Sequence, residues 1–400
     1  MNILFVNDIP FNPIGGGIER VTDVLTKELT KRGHKVYYLC DKLSMNRRFL
    51  LDYEFPAILY QLPNDGRFAN NENVVFYEFL QTNLRIDIVI NQRGLGGAFN
   101  EILPITHTKL VSVIHSTPDS DIKTFFNNLV ELSVPPCIEL KKILKKIFYP
   151  IVYLYWREKA YKNTSLAYNK LAQYSDVIVT LSVNYNALLN RFINKPHKAK
   201  IISIPNPTSF SGVDFSYNLK DKVILYVGRL EKTQKKPLRL LKIWKYLHKK
   251  NPDWKLKIVG DGSEKSIMQD YVQKYAISNV FFEGRQSDVI SYYKKASFVC
   301  LTSEFEGFPM VLPEGMQYGC IPFSFDSFGA ATDIVDDGVN GCLIPAFNLE
   351  KYANRLSELM NDENKRIDMS RAAIEKVKMF SIENVVNQWE DVFDSLKKKI

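Results

Sequence analysis

Short apolar runs alternate along the chain with longer stretches in which apolar residues recur at helical spacing. A short apolar run predicts a buried strand, and apolar positions three and four residues apart predict an amphipathic helix. Strands that alternate with helices form parallel sheets covered by helices. We therefore predict an α/β fold, with strands in the first half at residues 2–7, 35–40, 74–79, 86–91, 110–115, 176–182 and 200–207.

The same pattern starts again after a short polar stretch at residues 208–220. The predicted elements there are strands at 222–230, 254–260, 280–284 and 297–301, and a capped helix at 381–397. A chain of 400 residues is longer than one ordinary core supports. We expect two domains, at residues 1–210 and 211–380, followed by a C-terminal helix at 381–400 that packs back on the first domain.

Composition supports a folded protein and limits its chemistry. Apolar residues make up 46% of the chain and aromatic residues 12%, which is enough to bury large cores. The five cysteines lie at no disulfide or metal-site spacing. Residues 1–7 have the pattern of a first strand rather than a secretory leader, so we expect a reducing, cytoplasmic location.

The net charge of +9 lies mostly in the first half, where residues 1–205 hold 25 Lys and Arg against 18 Asp and Glu. Nucleic acid, an anionic membrane or a phosphorylated ligand would suit such a surface. In the segment 138–161, lysines interleave with apolar and aromatic residues, and the uncharged run 147–156 is ten residues long. Crossing a bilayer takes about 20 residues. Two interpretations remain: a helix in the interface of an anionic membrane, or an amphipathic helix packed on its domain.

Two glutamates with seven residues between them mark the most informative stretch. Glu306 lies in a turn after an apolar strand, and Glu314 lies in a predicted first helical turn. Free N–H groups stabilise a carboxylate there, and it can still accept hydrogen bonds from hydroxyls. The loop between them contains Gly307, Phe308, Pro309 and Met310, of which Pro309 has no backbone N–H. We therefore predict a loop that binds a polyol and a phosphate.

This stretch resembles the Glu-x7-Glu signature of the retaining GT-B glycosyltransferases of glycosyltransferase family 4. The segments 280–284 and 333–341 are similar to that family too, so the resemblance covers almost the whole second half. It implies GT-B architecture, with two Rossmann-like domains facing across a cleft and the nucleotide held mainly by the second. It implies no metal and no other cofactor, because cationic side chains and helix dipoles can stabilise the leaving group.

A glycine triplet precedes the first predicted helix. Gly15, Gly16 and Gly17 let backbone N–H groups approach an anion closely, although a simple turn is the alternative. A dinucleotide fingerprint is disfavoured, since Arg20 occupies its third glycine position. The resemblance matches Gly16, Gly17 and Glu19 to a Gly-Gly-x-Glu stretch that faces the donor diphosphate and the acceptor.

His115 ends a predicted strand, at the edge where parallel sheets bind ligands. The resemblance implies that it contacts the transferred sugar or its phosphate, and a structural role is the alternative. Asp119 and Asp121 imitate a metal-binding Asp-x-Asp pair. We interpret them as a solvated loop.

Cationic residues follow the first strand of the second half. The resemblance implies that Arg229 and Lys235 bind the donor diphosphate, with Lys236 as the candidate if the loop is one residue out of register. Fixed cations stabilise the charge that grows on a departing diphosphate. Gly260 is predicted to lie in a loop close to the nucleotide, and the resemblance matches Arg285 to a contact with the base.

The residues and the resemblance together predict a retaining, metal-independent transferase that moves a hexose or N-acetylhexosamine from a nucleotide sugar, preferably a UDP-sugar. The acceptor is a saccharide or lipid-linked saccharide, in surface polysaccharide, capsule or lipopolysaccharide biosynthesis. Nucleic acid is not expected as a partner, and the location is cytoplasmic with peripheral membrane contact. The predicted catalytic residues are His115, Arg229, Lys235 and Glu306, and the donor-binding residues are Gly16, Gly17, Gly260, Arg285, Gly307, Phe308, Pro309, Met310 and Glu314.

Two alternatives remain from other classes. A nucleotide-sugar 2-epimerase of the same architecture would change its substrate with no acceptor present. A non-catalytic nucleotide-sugar-binding protein is disfavoured by the intact Arg229, Lys235, Glu306 and Glu314.

Overall fold

A computed structural model describes residues 1–7, 16–40, 57–64, 70–95, 103–131, 139–208 and 220–397, with the backbone alone at 126–131 and 139–152. The chain forms two compact units, Met1–Ile204 with Val392–Ile400, and Pro205–Asp391. The boundary lies six residues before the predicted one. Gly15 and most of the predicted linker, 209–219, are outside the described residues.

The first unit is built on a parallel sheet in the order β3-β2-β1-β4-β5-β6-β7. Its strands are Asn2–Asn7 (β1), Lys35–Cys40 (β2), Ile58–Gln61 (β3), Ile88–Asn91 (β4), Lys109–Ile114 (β5), Val177–Thr180 (β6) and Lys200–Ser203 (β7). Its helices are Gly17–Lys31 (α1), Asn71–Asn83 (α2), Ser120–Glu131 (α3), Glu139–Tyr174 (α4) and Val183–Asn190 (α5), with a 3-10 turn at Leu103–Ile105. Most strand residues are buried, as expected of a sheet covered on both faces.

The predicted strand at 74–79 is wrong, because these residues lie in helix α2. Valines and aromatic residues favour strands by composition. The buried positions Asn73, Tyr77, Leu80 and Gln81, however, recur three and four residues apart, which places them on one helical face. The side chain of Asn70 also caps the helix by accepting the N–H of Glu72 (3.0 Å).

The second unit has a parallel sheet in the order β10-β9-β8-β11-β12-β13. Its strands are Asp221–Val227 (β8), Lys255–Val259 (β9), Val280–Gly284 (β10), Ala296–Cys300 (β11), Ile321–Asp326 (β12) and Cys342–Pro345 (β13). Its helices are Leu238–Leu247 (α6), Lys265–Lys274 (α7), Ile290–Lys295 (α8), Val311–Gln317 (α9), Ala330–Ile334 (α10), Leu349–Met360 (α11) and Glu363–Val377 (α12). A 3-10 turn, Lys378–Phe380, precedes the last helix, Ile382–Lys397 (α13).

The last helix begins where the capped helix was predicted. The N–H of Asn384 donates to the hydroxyl of Ser381 (3.3 Å). The final turns of α13 belong to the first unit, where the ring of Phe393 meets that of His34 edge to face at 6.1 Å. Among the described residues, no helix is both long and apolar enough to cross a membrane.

Candidate active site

The strand order of the second unit reverses at one point, between β8 and β11. Ligands of open α/β sheets bind outside the carboxyl ends of the strands at such a point. Here β8 ends at Val227 and β11 at Cys300. The segments that follow these two strands carry most of the residues that the sequence predicted.

Glu306 and Lys235 meet at this position. Lys235 Nζ lies 2.6 Å from Glu306 Oε1, and the hydroxyl of Ser303 donates to the same oxygen at 2.6 Å. Gln234 Nε2 donates to Oε2 at 3.1 Å. The side chain of Glu306 is 6% exposed and that of Lys235 17%. A carboxylate so far from water is stable only with such partners.

The loop after β8 determines which lysine reaches Glu306. The carboxylate of Glu231 accepts the backbone N–H groups of Thr233, Gln234 and Lys235 at 2.8–3.2 Å. Lys236 follows in a left-handed conformation (φ 48°). Lys235 and not Lys236 therefore forms the ion pair with Glu306.

Arg229 lies beside this pair on an exposed part of the loop. Its Nη2 donates to Gln234 Oε1 at 3.4 Å, so one glutamine contacts both Arg229 and Glu306. The hydroxyl of Tyr226 donates to the carbonyl of Arg229 (3.1 Å). Burial, together with the charge of Glu306, raises the pKa of Tyr226, which keeps this hydroxyl protonated as a donor.

Only glycine fits at position 260, because the backbone of a neighbouring loop occupies the space of a side chain. A Cβ at this position would lie 1.9 Å from the carbonyl oxygen of Gly228, and φ is +139°. The N–H of Gly228 also donates to Val259 O at 3.0 Å. The glycine thus allows the loops after β8 and β9 to pack against each other at the edge where β8 ends. Arg285 is exposed, directly after β10.

Glu314 is the fourth residue of α9 and is 1% exposed. Its Oε2 accepts the hydroxyl of Tyr293 (3.1 Å), a residue of α8 that is fully buried. Burial raises the pKa of Tyr318, and the charge of Glu314 adds to this effect. The following residue, Gly315, fits tightly, since a Cβ there would lie 2.8 Å from Cγ1 of Val299.

The loop between the two glutamates is held by its aromatic residue. Phe308 is buried and packs edge to face on Phe380 at 5.3 Å. Gly307 and Pro309 are buried too, and Met310 is partly exposed. The backbone N–H groups of Gly307, Phe308 and Met310 make no hydrogen bond to an acceptor among the described residues, which leaves three donors for a ligand.

In the first unit, the strand order reverses between β1 and β4. His115 follows β5, and its Nε2 is hydrogen-bonded to Oε1 of Gln92, which follows β4. Burial lowers the pKa of His115 to about 4, so the ring is neutral near pH 7. Asn7, Asn91 and Gln92, at or directly after the ends of β1 and β4, are buried and uncharged, while Glu19 in the first turn of α1 is a buried carboxylate.

The predicted glycines begin α1 of the same unit. Gly16 is the N-cap, where an added Cβ would lie 2.6 Å from Glu19 Oε2, and Gly17 is exposed with nothing within 4 Å of such a Cβ. Asp119 accepts the hydroxyl of Thr117 and pairs with Lys123 (3.2 Å). Within the part of the chain that the structure describes, no group of three or more His, Cys, Asp or Glu could hold a metal ion.

Sequence reasoning missed several residues whose side chains contact the predicted ones, among them Gln92, Gln234, Tyr293 and Ser303. Of these four, only Ser303 and Gln234 lie beside predicted residues in the chain, and uncharged side chains at such places carry no specific signal. Tyr293 is 21 residues from Glu314, and Gln92 is 23 residues from His115. Their roles follow from strand and helix packing.

Fold and site together define an α/β protein of two parallel-sheet units with a charged cluster at a switch point, and the comparisons with known proteins give its family. The sequence model described as Glycosyltransferase Family 4 matches residues 15–211, and that described as Glycosyl transferases group 1 matches residues 214–376. The chain therefore belongs to the family 4, group 1 glycosyltransferases of GT-B fold.

Individual proteins agree with this assignment. An uncharacterized glycosyltransferase of Haemophilus influenzae is 33% identical over 54% of this chain. An α-1,4-N-acetyl-D-galactosaminyltransferase of Campylobacter jejuni, named for a diphosphoundecaprenol-linked acceptor, is 28% identical over 56%. The chain spans 61% of the length of each of these relatives. The crystal structure of HepE from Anabaena in complex with UDP and glucose is 16% identical and matches in fold, with a TM-score of 0.71 over 99% of this chain and 100% of that one.

Proposed function

We propose that this protein transfers a hexose or N-acetylhexosamine from a UDP-sugar to a saccharide acceptor, with retention at the anomeric carbon. The observation that carries the proposal is the buried Lys235–Glu306 pair beside Arg229 at the switch point of the second sheet. Lys235 is hydrogen-bonded to Glu306 and Arg229 to Gln234, so both cations have partners in the protein before a ligand binds.

This arrangement suits a diphosphate leaving group. Breaking the bond between the anomeric carbon and the phosphate oxygen puts negative charge on the diphosphate. Cations fixed in a partly dry site stabilise that charge more in the transition state than in the ground state. The N–H groups of Gly307, Phe308 and Met310 add donors for the diphosphate or for sugar hydroxyls.

Retention is proposed from the resemblance to the retaining glycosyltransferases of family 4, and the contacts of Glu306 argue against its acting as a nucleophile. Its two oxygens already accept hydrogen bonds from Lys235, Ser303 and Gln234, so it is a poor nucleophile. The acceptor oxygen instead attacks on the face from which the diphosphate departs. The new carbon–oxygen bond forms as the old one breaks, and the acceptor proton passes to the departing phosphate oxygen. This chemistry uses no metal.

The donor and acceptor classes rest on the relatives. HepE, which has a similar fold, was solved with UDP and glucose, and the Campylobacter relative is named for a lipid-linked saccharide acceptor. A place in surface polysaccharide, capsule or lipopolysaccharide biosynthesis agrees with both. Glu314, by analogy with the family signature, holds the ribose hydroxyls, and Arg285 lies near the base.

Helix α4 supports peripheral contact with the cytoplasmic membrane face. The helix carries eight Lys and Arg residues and two Glu. Leu154, Tyr155, Tyr161 and Leu166 are 42–61% exposed on it, with Arg157, Lys159 and Lys162 between them. Exposed apolar side chains interleaved with cations suit the interface of an anionic bilayer.

The test is a thermal-shift series with UDP, GDP, ADP and their sugar conjugates, with and without EDTA, on the wild type, Lys235→Ala and Lys236→Ala. We expect a shift with the uracil series that EDTA does not change, that Lys235→Ala loses and that Lys236→Ala retains. Donor turnover with and without saccharide acceptors then separates transfer from epimerisation. The proposal would be contradicted if none of the nucleotides shifted the melting temperature, or if Lys235→Ala and Lys236→Ala lost the shift equally.

A further inference from the structure

The backbone that carries the amide beside His115 is fixed in place. Gln92 is 1% exposed, and its backbone N–H donates to Val6 O at 3.0 Å, which continues the pairing of β4 with β1. The side chain of the preceding residue, Asn91, makes two hydrogen bonds to the chain that follows. Its Oδ1 accepts the N–H of Arg93 (3.0 Å), and its Nδ2 donates to the carbonyl of Gly94 (3.3 Å). These bonds fix the backbone that carries the Gln92 side chain, and its Nε2 is buried with no hydrogen-bond partner among the described residues.

We infer that Gln92 selects the tautomer of His115, so that the ring accepts a hydrogen bond from a hydroxyl of the bound sugar and donates none to its phosphates. An amide oxygen only accepts. Since Gln92 Oε1 faces Nε2 of His115, Nε2 must carry the hydrogen. A neutral imidazole has one N–H, so Nδ1 keeps its lone pair.

The remaining nitrogen is the one a ligand meets. His115 as a residue is partly exposed, and its Nδ1 has no hydrogen-bond partner among the described residues. A lone pair attracts the hydrogen of a hydroxyl and repels a phosphate oxygen, which has no hydrogen to give. The ligand half of this inference rests on the proposed function, whereas the tautomer half does not.

The tautomer is measured by long-range ¹H–¹⁵N NMR on protein labelled at histidine, with His115→Asn to assign its signals among the five histidines. We expect a protonated-type ¹⁵N shift at Nε2 and an unprotonated-type shift at Nδ1 in the wild type. In Gln92→Leu, which removes the acceptor and preserves the approximate size, the two nitrogens should move toward the averaged shifts of mixed tautomers. His107, whose side chain is 65% exposed, is the internal control and should not change.

A wild-type signal with the hydrogen on Nδ1 would overturn the inference, since the Gln92 amide would then have to be turned over. Unchanged His115 shifts in Gln92→Leu would also overturn it, because the tautomer would have another cause. A structural role of Gln92 alone would lower stability without moving the tautomer.

The ligand half is tested on the same labelled protein with UDP and with a UDP-sugar. We expect the Nδ1 signal to shift with the UDP-sugar and to stay in place with UDP alone. A shift with UDP alone would mean that the histidine contacts the phosphates and would overturn this half. If the Nε2-protonated tautomer is found but neither ligand shifts the signal, the proposed ligand role of His115 fails and the tautomer assignment stands.

Discussion

The two sheets share a parallel topology with one reversal of strand order, yet the residues at the two reversal points differ in kind. In the second unit, Arg229, Lys235 and Glu306 are charged and joined through Gln234. In the first unit, neutral amides and hydroxyls are buried around a histidine that is itself neutral. The second reversal point thus carries an ion pair among its described residues, whereas the first carries a neutral histidine bonded to an amide, with the buried carboxylate of Glu19 in the first turn of α1.

This difference matches the two kinds of chemistry in a nucleotide sugar. A diphosphate needs cations and N–H donors, whereas a sugar needs groups that exchange hydrogen bonds with hydroxyls. The family accounts for the fold of both units, and the division of roles proposed for them rests on these side chains.

The largest expected effect is on the charged site. Lys235→Ala should lower kcat by about 10²–10³-fold, the usual loss for one donor that stabilises a developing negative charge. Lys236→Ala, the matched control one residue away, should lose less than about tenfold, since a single peripheral contact contributes about 1 kcal/mol. Steady-state turnover measures both, with thermal melting to verify that each variant is folded. Similar losses in the two variants would contradict the assignment of Lys235.

The next largest effect is on stability, when alanine replaces a predicted glycine in each unit. Gly260→Ala should destabilise the protein by roughly 3 kcal/mol, because the new Cβ meets Gly228 O at 1.9 Å and φ is positive. Gly17→Ala, which meets nothing within 4 Å at the start of α1, should leave stability unchanged or slightly higher. Urea denaturation compares them. A loss of donor binding in a fully stable Gly17→Ala would show that a ligand approaches α1 closely.

Because His115 is buried in its neutral form, the stability of the protein should depend on pH. The pKa of His115 is about 4 in the folded chain and near 6.5 unfolded, so the unfolded state binds the proton first as pH falls. The stability contributed by the neutral ring is present above pH 6.5 and is lost as pH falls from 6.5 to 4. Relative to His115→Gln, the wild type should lose roughly 3 kcal/mol over this window. Urea unfolding of both proteins from pH 4 to 8 measures it, and a constant difference would exclude the lowered pKa.

The smallest effect is on nucleotide affinity. Tyr293→Phe removes the hydroxyl that donates to Glu314 Oε2, a neutral-to-charged hydrogen bond worth about 1–2 kcal/mol, so KM for the donor should rise roughly five- to thirtyfold with kcat little changed. The adjacent Tyr292→Phe removes a hydroxyl that contacts Glu283 (3.3 Å) and serves as control. An effect on kcat alone would place Glu314 in the chemical step instead of in ribose binding.

The sequence by itself determined the alternation of strands and helices, the two-domain organisation and the signature that led to the family. These features are local, since apolar periodicity and residues such as Glu306 and Glu314 can be read within a few turns of chain. Where composition and periodicity disagreed, at 74–79, the helical spacing of buried residues prevailed because tertiary burial decides which face of a segment is stable.

Only the tertiary structure decided which lysine pairs with Glu306, which glutamine faces His115 and which tyrosine holds Glu314. Each of these contacts joins residues 21 to 71 positions apart, two of them between segments that follow strands and the third between helices α8 and α9. A side chain that acts on a distant residue has no fixed spacing from it in sequence. The physical reason is that hydrogen bonds depend on ångström-scale positions, which follow from how strands and helices pack and not from their order alone.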